Sequence, residues 1–127
     1  MATPRRIYLI DDDHFLLDMY AVKFKSAGHD VTAFNKGEEL LDALRTKPAP
    51  DAILLDIVMP GMDGFQVLEN INKEKLAVGT KKIVLSNQGQ DSDIDRAKSL
   101  GAAGYIIKAS AIPSEVLAET TKILDAG

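Results

Sequence analysis

The chain has no cysteine, so disulfides and thiolate metal sites are excluded, while compartment is not decided by that fact alone. It has no apolar run near the roughly 20 residues that a membrane-spanning helix needs. The opening residues, MATPRR, lack the apolar centre of a secretory signal. A soluble cytoplasmic protein with no membrane contact is the expectation. Positive charge is in the minority, 15 Lys and Arg against 19 Asp and Glu for a formal net charge of -4, which argues against direct nucleic-acid binding by this chain. No internal repeat, low-complexity tract or candidate interdomain linker interrupts the sequence.

What remains is ordinary for a globular protein: 46% hydrophobic and 27% charged residues in 127 positions. That length fits one domain, residues 1–127 with a core from about 5 to 125, long enough to bury a layered interior.

One stretch organises the rest, Asp51 to Gly64, DAILLDIVMPGMDG. Ala52 to Leu55 is apolar without a polar break, the pattern of a strand buried on both faces of a parallel sheet. It ends on a carboxylate, Asp56. Pro60-Gly61 and Asp63-Gly64 are turn signals, and Asp63 suits the cap of a helix opened by Phe65. Asp56 therefore falls at the carboxyl end of a central strand, the edge where open α/β sheets bind ligands. The plain alternative is that Asp56 merely closes a strand.

The remaining elements alternate. Arg5 to Ile10 reads as a strand and runs into Asp11, Asp12 and Asp13; Asp13 is placed to cap a helix from Phe15 to Ala27, which Gly28 stops. Val31 to Phe34 is a strand, and Gly37 to Lys47 a helix with Leu40, Leu41 and Leu44 on one face. Phe65, Leu68 and Ile71 set a helix after the Asp63-Gly64 turn. Lys82 to Leu85 is a strand ending on Ser86, and Asp91 to Leu100 a helix, acid-rich at its start, closed by Gly101. Gly104 to Ile107 is a strand ending on Lys108, and Pro113 suits the first turn of a last helix. Five strands alternating with five helices imply an α/β fold: a five-stranded parallel sheet, doubly wound, with helices on both faces.

Four strands thus deliver Asp11-Asp12, Asp56, Ser86 and Lys108 to one sheet edge. Clustered carboxylates repel unless a proton or a cation joins them. Oxygen ligands without histidine or cysteine favour a hard ion such as Mg²⁺, or Mn²⁺. A lysine and a hydroxyl beside that ion fit a phosphoryl-transfer site, with Asp56 as the nucleophile. Each residue also has a plainer reading: Asp11 and Asp12 as helix-start acids, Ser86 as a turn serine, Lys108 as a solvated lysine.

At this point the chain resembles the receiver domain of the two-component response-regulator family, the chemotaxis-regulator-like group. The likeness rests on the acidic pair after the first strand, LLDIVMPGMDG, the hydroxyl after the fourth strand, and GYIIK. It runs from about Arg5 to the end. It implies the flavodoxin-like strand order 2-1-3-4-5. It implies that Asp56 is the phosphoacceptor, that Asp11 and Asp12 hold Mg²⁺ with Asp56 and the backbone carbonyl of Val58, and that Lys108 contacts a phosphoryl oxygen. Ser86 matches the switch hydroxyl and Tyr105 the aromatic switch residue, with simple packing as the rival role for Tyr105. The implied partners are a sensor histidine kinase or histidine phosphotransfer protein as donor, and an unknown output protein or domain. The implied output face combines the Asp91 helix, the Gly104 strand and the Pro113 helix; dimerisation through it is common in the family. Such a chain is a switch that assists its own phosphorylation and dephosphorylation, not a turnover enzyme. His14 and His29 read as structural or exposed, so the chain is a receiver and not a phosphohistidine donor.

Three departures from the family pattern stand out. Ala109 follows Lys108 where the family usually has a proline, often cis, and a trans bond is expected here. Asn87 is larger than the usual residue and narrows access to Asp56. Apolar Val58 cannot orient an attacking water, whereas Gln88 offers an amide, and slow loss of the phosphoryl group is expected. The alternatives are a receiver-like scaffold that no longer accepts phosphate, and a Mg²⁺-dependent phosphatase, which would leave the Asp56 motif unexplained.

Overall fold

A computed structural model describes residues 4–87 and 89–126. The elements run β1 (Arg6–Ile10), α1 (His14–Ser26), β2 (Asp30–Phe34), α2 (Gly37–Thr46), β3 (Ala52–Leu55), α3 (Gly64–Lys73), β4 (Lys81–Ser86), α4 (Asp91–Ser99), β5 (Gly104–Ile107) and α5 (Pro113–Ala126). A single 3₁₀ turn, Lys108–Ser110, lies between β5 and α5; nothing in the sequence pattern marked it. The other boundaries shift by a residue or two at most, as with α3, which starts at Gly64 and not at Phe65.

The sheet is parallel throughout, in the order β2-β1-β3-β4-β5. Its central strand explains why. All four residues of β3 are buried, so helices must cover both faces, and crossover helices make neighbouring strands parallel. Side chains alternate between two cores. Tyr8, Ile10, Ile53, Leu55 and Val84 face α2 and α3 with Leu40, Leu41, Leu68 and Ile71. Ile7, Leu9, Leu54, Ile83 and Leu85 face α1 and α5 with Leu17, Phe24 and Val116. Each such side chain, fully buried, contributes on the order of 1.5–3 kcal/mol relative to exposure. A one-residue slip in any strand would turn its apolar set inside out, so register is fixed by these two cores.

Register is also what builds the site. Ile10 lies opposite Leu55, which places Asp11 beside Asp56. Ser86 lies opposite Ile107, which places Asn87 beside Lys108. Both helix-start expectations hold: Asp13 accepts from the Leu16 N–H at the start of α1, and Asp63 forms a reciprocal capping box with Gln66 on α3.

Candidate functional site

The carboxyl edge of the sheet opens into a cleft of about 320 Å³ lined by Asp12, Asp13, Leu16, Asp56, Val58, Ser86, Asn87 and Lys108. Five of the seven residues expected to act, Asp12, Asp56, Val58, Ser86 and Lys108, line this one cleft, and Asp11 lies directly beneath it, bonded to Lys108. Tyr105 is half-buried on β5, opposite Val84.

Lys108 is the hub. Its ammonium sits 2.5 Å from Asp11 Oδ2 and 3.1 Å from Asp56 Oδ2, with all three side chains almost fully buried. The other oxygen of each carboxylate is held by backbone. The Asp13 N–H donates to Asp11 Oδ1 at 2.9 Å, and the Val58 N–H to Asp56 Oδ1 at 3.2 Å. Both carboxylates are thereby oriented before any ligand arrives. Sequence reading placed Lys108 against an incoming anion and missed its bond to Asp11. β3 and β4 separate the two strands that carry these residues, so no strand pairing announces the bond; it depends on how far the lysine side chain reaches across the edge.

The electrostatics follow from an excess of acid. Asp11, Asp12 and Asp56 each offer a carboxylate oxygen, all within 4.8 Å of one another, against one lysine. Burial pushes the Asp11 carboxyl above the usual range, with the hydrogen bond and charge of Lys108 pulling the other way and Asp56 adding to the rise. For Lys108, burial favours the neutral amine, but the bonds and charges of Asp11 and Asp56 outweigh it and hold its affinity for a proton above normal. The Asp11 shift is mainly a burial effect, whereas the Lys108 shift reports the surrounding acid; three carboxylates against one lysine leave the site with net negative charge, so it favours a further cation. The donor set is oxygen only, partly buried and open to solvent at Asp12, which fits Mg²⁺ or Mn²⁺ with retained waters.

Ser86 is fully buried at the end of β4. Tyr105 has its phenol pushed up to about 12, first by burial and then by Asp93 and Asp56. The Lys108–Ala109 bond is trans, as expected, and the 3₁₀ turn carries Lys108 into the cleft. Asn87 is exposed on the cleft wall and Val58 is also exposed there. Gln88 lies outside the described residues. His14 is exposed, and His29 is buried with its Nδ1 accepting from the Arg5 N–H; neither reaches the cleft.

Gly64 is a site residue that sequence reading took only for a turn. A Cβ there would lie 2.3 Å from the Asp56 carbonyl oxygen and 2.8 Å from the Ile57 Cα. No side chain fits, so α3 begins in contact with the backbone of Asp56, and the Gly64 N–H donates to the Ile57 carbonyl at 2.8 Å. The Asp-Gly pair was the available signal, with glycine read as conformational freedom and not as lack of volume.

Comparison with known proteins agrees with this geometry. A family model described as the response regulator receiver domain matches residues 7–120. Protein PilH of Pseudomonas aeruginosa is 30% identical over 122 residues, covering 96% of this chain and 98% of PilH. The alkaline phosphatase synthesis transcriptional regulatory protein PhoP of Bacillus subtilis is 29% identical over 120 residues, 94% of this chain but 48% of PhoP, so the chain spans about half of that relative. A CheY-like response regulator receiver domain protein from Methanospirillum hungatei shares the fold with a TM-score of 0.87 at 27% identity, covering 98% of this chain and 96% of that one.

Proposed function

The chain belongs to the response regulator receiver domain family, the phosphorylation-dependent signalling switches of two-component systems, and from that premise we propose that Asp56 is its phosphoacceptor. The observation that carries the proposal is the placing of Lys108 within bonding reach of Asp11 and Asp56 at the floor of the cleft that Asp12 lines. Receivers are switches and not turnover enzymes on external substrates, and this chain as one receiver unit is part of the proposal.

The transfer runs from a phosphohistidine on a histidine kinase or phosphotransfer protein. The phosphorus–nitrogen bond breaks, a phosphorus–oxygen bond forms on an Asp56 carboxylate oxygen, and the imidazole leaves to take a proton from water. Asp11, Asp12, Asp56 and the Val58 carbonyl are the residues that would hold Mg²⁺. When bound, the ion supplies positive charge that offsets repulsion among the carboxylates and the transferring oxygens. Lys108 offers its ammonium to a phosphoryl oxygen, and the Asp13 and Val58 N–H groups keep Asp11 and Asp56 in position.

A phosphoryl group adds close to two negative charges and three acceptor oxygens. Ser86 donates to one of them and draws the loop after β4 inward; Tyr105 then turns toward the vacated space and reshapes the face of α4, β5 and α5. An output protein or domain reads that face. Near-complete switching requires about 5.5 kcal/mol of differential contact between the two states.

The exposed apolar residues beside the cleft support a protein as donor. Phe15, Met19 and Val22 of α1 form an open patch with Pro113, and Ile112, also exposed, follows the turn that carries Lys108. Contiguous exposed apolar surface of this kind marks protein contact.

Incubation with a small acyl phosphate and Mg²⁺, followed by intact mass measurement, tests the reading. A stoichiometric phosphoryl adduct that disappears in Asp56→Asn is expected. No adduct in the wild type would favour the scaffold instead. Ser86→Ala should still take the phosphoryl group yet lose most of the response of its output face.

A further inference from the structure

Helix α4 is held to the domain unusually lightly. Of its nine residues only Ala97 is buried; a helix of this length keeps its place mainly through tertiary packing. Two contacts with α3 supply what packing does not. The Asn72 amide donates to the Leu100 carbonyl at 2.7 Å, at the end of α4. In its middle, the Arg96 guanidinium lies over the Phe65 ring, 4.2 Å from the centroid. Arg96 is exposed, and among the described residues no carboxylate pairs with it, although Asp93 and Asp95 lie on the same helix. The ring, not an ion pair, therefore sets where the guanidinium rests.

Phe65 is itself placed by the phosphoacceptor. It is buried and follows Gly64 directly. Gly64 has no room for a Cβ because the Asp56 carbonyl oxygen and Ile57 Cα occupy that space. Any displacement of the Asp56 backbone must push on Gly64, since the two are already in contact, and Phe65 moves with it. The chain of direct contacts runs Asp56, Gly64, Phe65, Arg96, α4, and includes neither Ser86 nor Tyr105.

We propose that Arg96 and Phe65 form a second coupling line from Asp56 to α4, acting in parallel with the hydroxyl–aromatic pair of Ser86 and Tyr105. The line rests on the reading of Asp56 as phosphoacceptor. It restrains α4 in the unphosphorylated protein and transmits a shift of the α3 start when Asp56 is modified. Arg96 is a positioning residue: it touches neither metal nor phosphoryl group.

Hydrogen exchange at the α4 amides tests this in two stages. In the unphosphorylated protein, Arg96→Gln or Phe65→Leu should speed α4 exchange about two- to fivefold, the span expected of an exposed cation–π contact. Arg96→Gln should add nothing on the Phe65→Leu background, and Arg96→Lys should restore part of the protection. In Arg96→Gln, exchange in β1 and β3 should not change, which separates loss of the restraint from general destabilisation; Phe65→Leu also thins the core and is read relative to those strands. Additive effects of the two substitutions would overturn the restraint. The second stage uses the full chain carrying Ser86→Ala, treated with acyl phosphate and Mg²⁺. Phosphorylation should still alter α4 exchange there, and Arg96→Gln should abolish that residual response. An unchanged α4 in Ser86→Ala, or a residual response that survives Arg96→Gln, would overturn the second line. The adduct on Asp56 is read by mass in the same samples, so failure of phosphorylation and failure of coupling give different results.

Discussion

Asp12 and Asp11 are neighbours in sequence with opposite situations. Asp11 is buried and bound on both oxygens, by Lys108 and by the Asp13 N–H. Asp12 is exposed at the cleft mouth, with one oxygen within 4.8 Å of its two fellow carboxylates. Among the described residues its carboxylate has no protein partner, so its charge adds repulsion and is useful chiefly to a cation. Asp12→Asn should therefore raise the melting temperature of the metal-free protein by a few degrees. The same substitution should remove most of the rise that millimolar Mg²⁺ produces in the wild type, a rise expected because a ligand bound only by the native state stabilises it. Thermal scans with and without Mg²⁺ check both; a metal-induced rise that persists in Asp12→Asn would take Asp12 out of the binding set. His29 poses a separate question of pH. Its Nδ1 accepts the Arg5 N–H at 3.1 Å, so the proton sits on Nε2. Burial, then the charge of Arg5, lowers its affinity for a second proton below the usual 6.5. The unfolded chain takes that proton first, so the contribution of His29 is full above about 6.5 and is lost as pH falls through the lower native value. Urea midpoints compared at pH 7.5 and 5.5 should fall, and His29→Gln should flatten that slope.

Among the helices, three ends share one geometry. In α1, α3 and α4 the second residue past the cap donates to the carbonyl five back, and the first donates three back: His29 to Phe24 and Gly28 to Lys25, Leu76 to Ile71 and Lys75 to Asn72, Ala102 to Ala97 and Gly101 to Lys98. This motif places its first post-cap residue in the left-handed region. Gly28 and Gly101 occupy it with φ 93, and both were readable as stop signals. Lys75 occupies it with φ 55, and nothing in the sequence announced the end of α3 there. The physical reason is that the hydrophobic anchor, Leu76 packed on the core that holds Ile71, fixes the turn even though lysine dislikes the conformation. Lys75→Gly should then stabilise the protein by about 1 kcal/mol, since the side chain is exposed and only backbone strain is relieved. A melting temperature higher by about 3–5 °C would bear this out. Strands such as β1, β3 and β4 were legible for the opposite reason: burial on both faces writes them as unbroken apolar runs. The 3₁₀ turn at Lys108–Ser110 was not, because three residues without a buried side chain leave no pattern to read.

For the molecule as a whole, a parallel sheet gathers every strand's carboxyl end at one edge, so the site could be assembled on paper from strand ends alone. What could not be assembled is anything set by surfaces and not by strands, above all how a donor reaches Asp56. The cleft wall at Leu16 belongs to α1, and the same helix turns Phe15, Met19 and Val22 outward, with Val22 65% and Phe15 74% exposed. Apolar side chains on an exposed helix face give up stabilisation that burial in a complex would recover. A small acyl phosphate needs only the cleft; a protein donor must also cover the patch. Val22→Lys tests this cleanly, because lysine is the better helix former and the side chain touches no ligand of the cleft. Transfer from a phosphohistidine protein should fall roughly tenfold or more, the cost of disturbing an interface anchor by 1–2 kcal/mol, while labelling by acyl phosphate should keep its wild-type rate. Salt should not restore the lost rate if the patch acts by burial, whereas restoration at high ionic strength would mean that the new charge alone is repelled. Equal rates with both donors would show that the protein donor approaches from another side, over Val58 and the loop that follows β3.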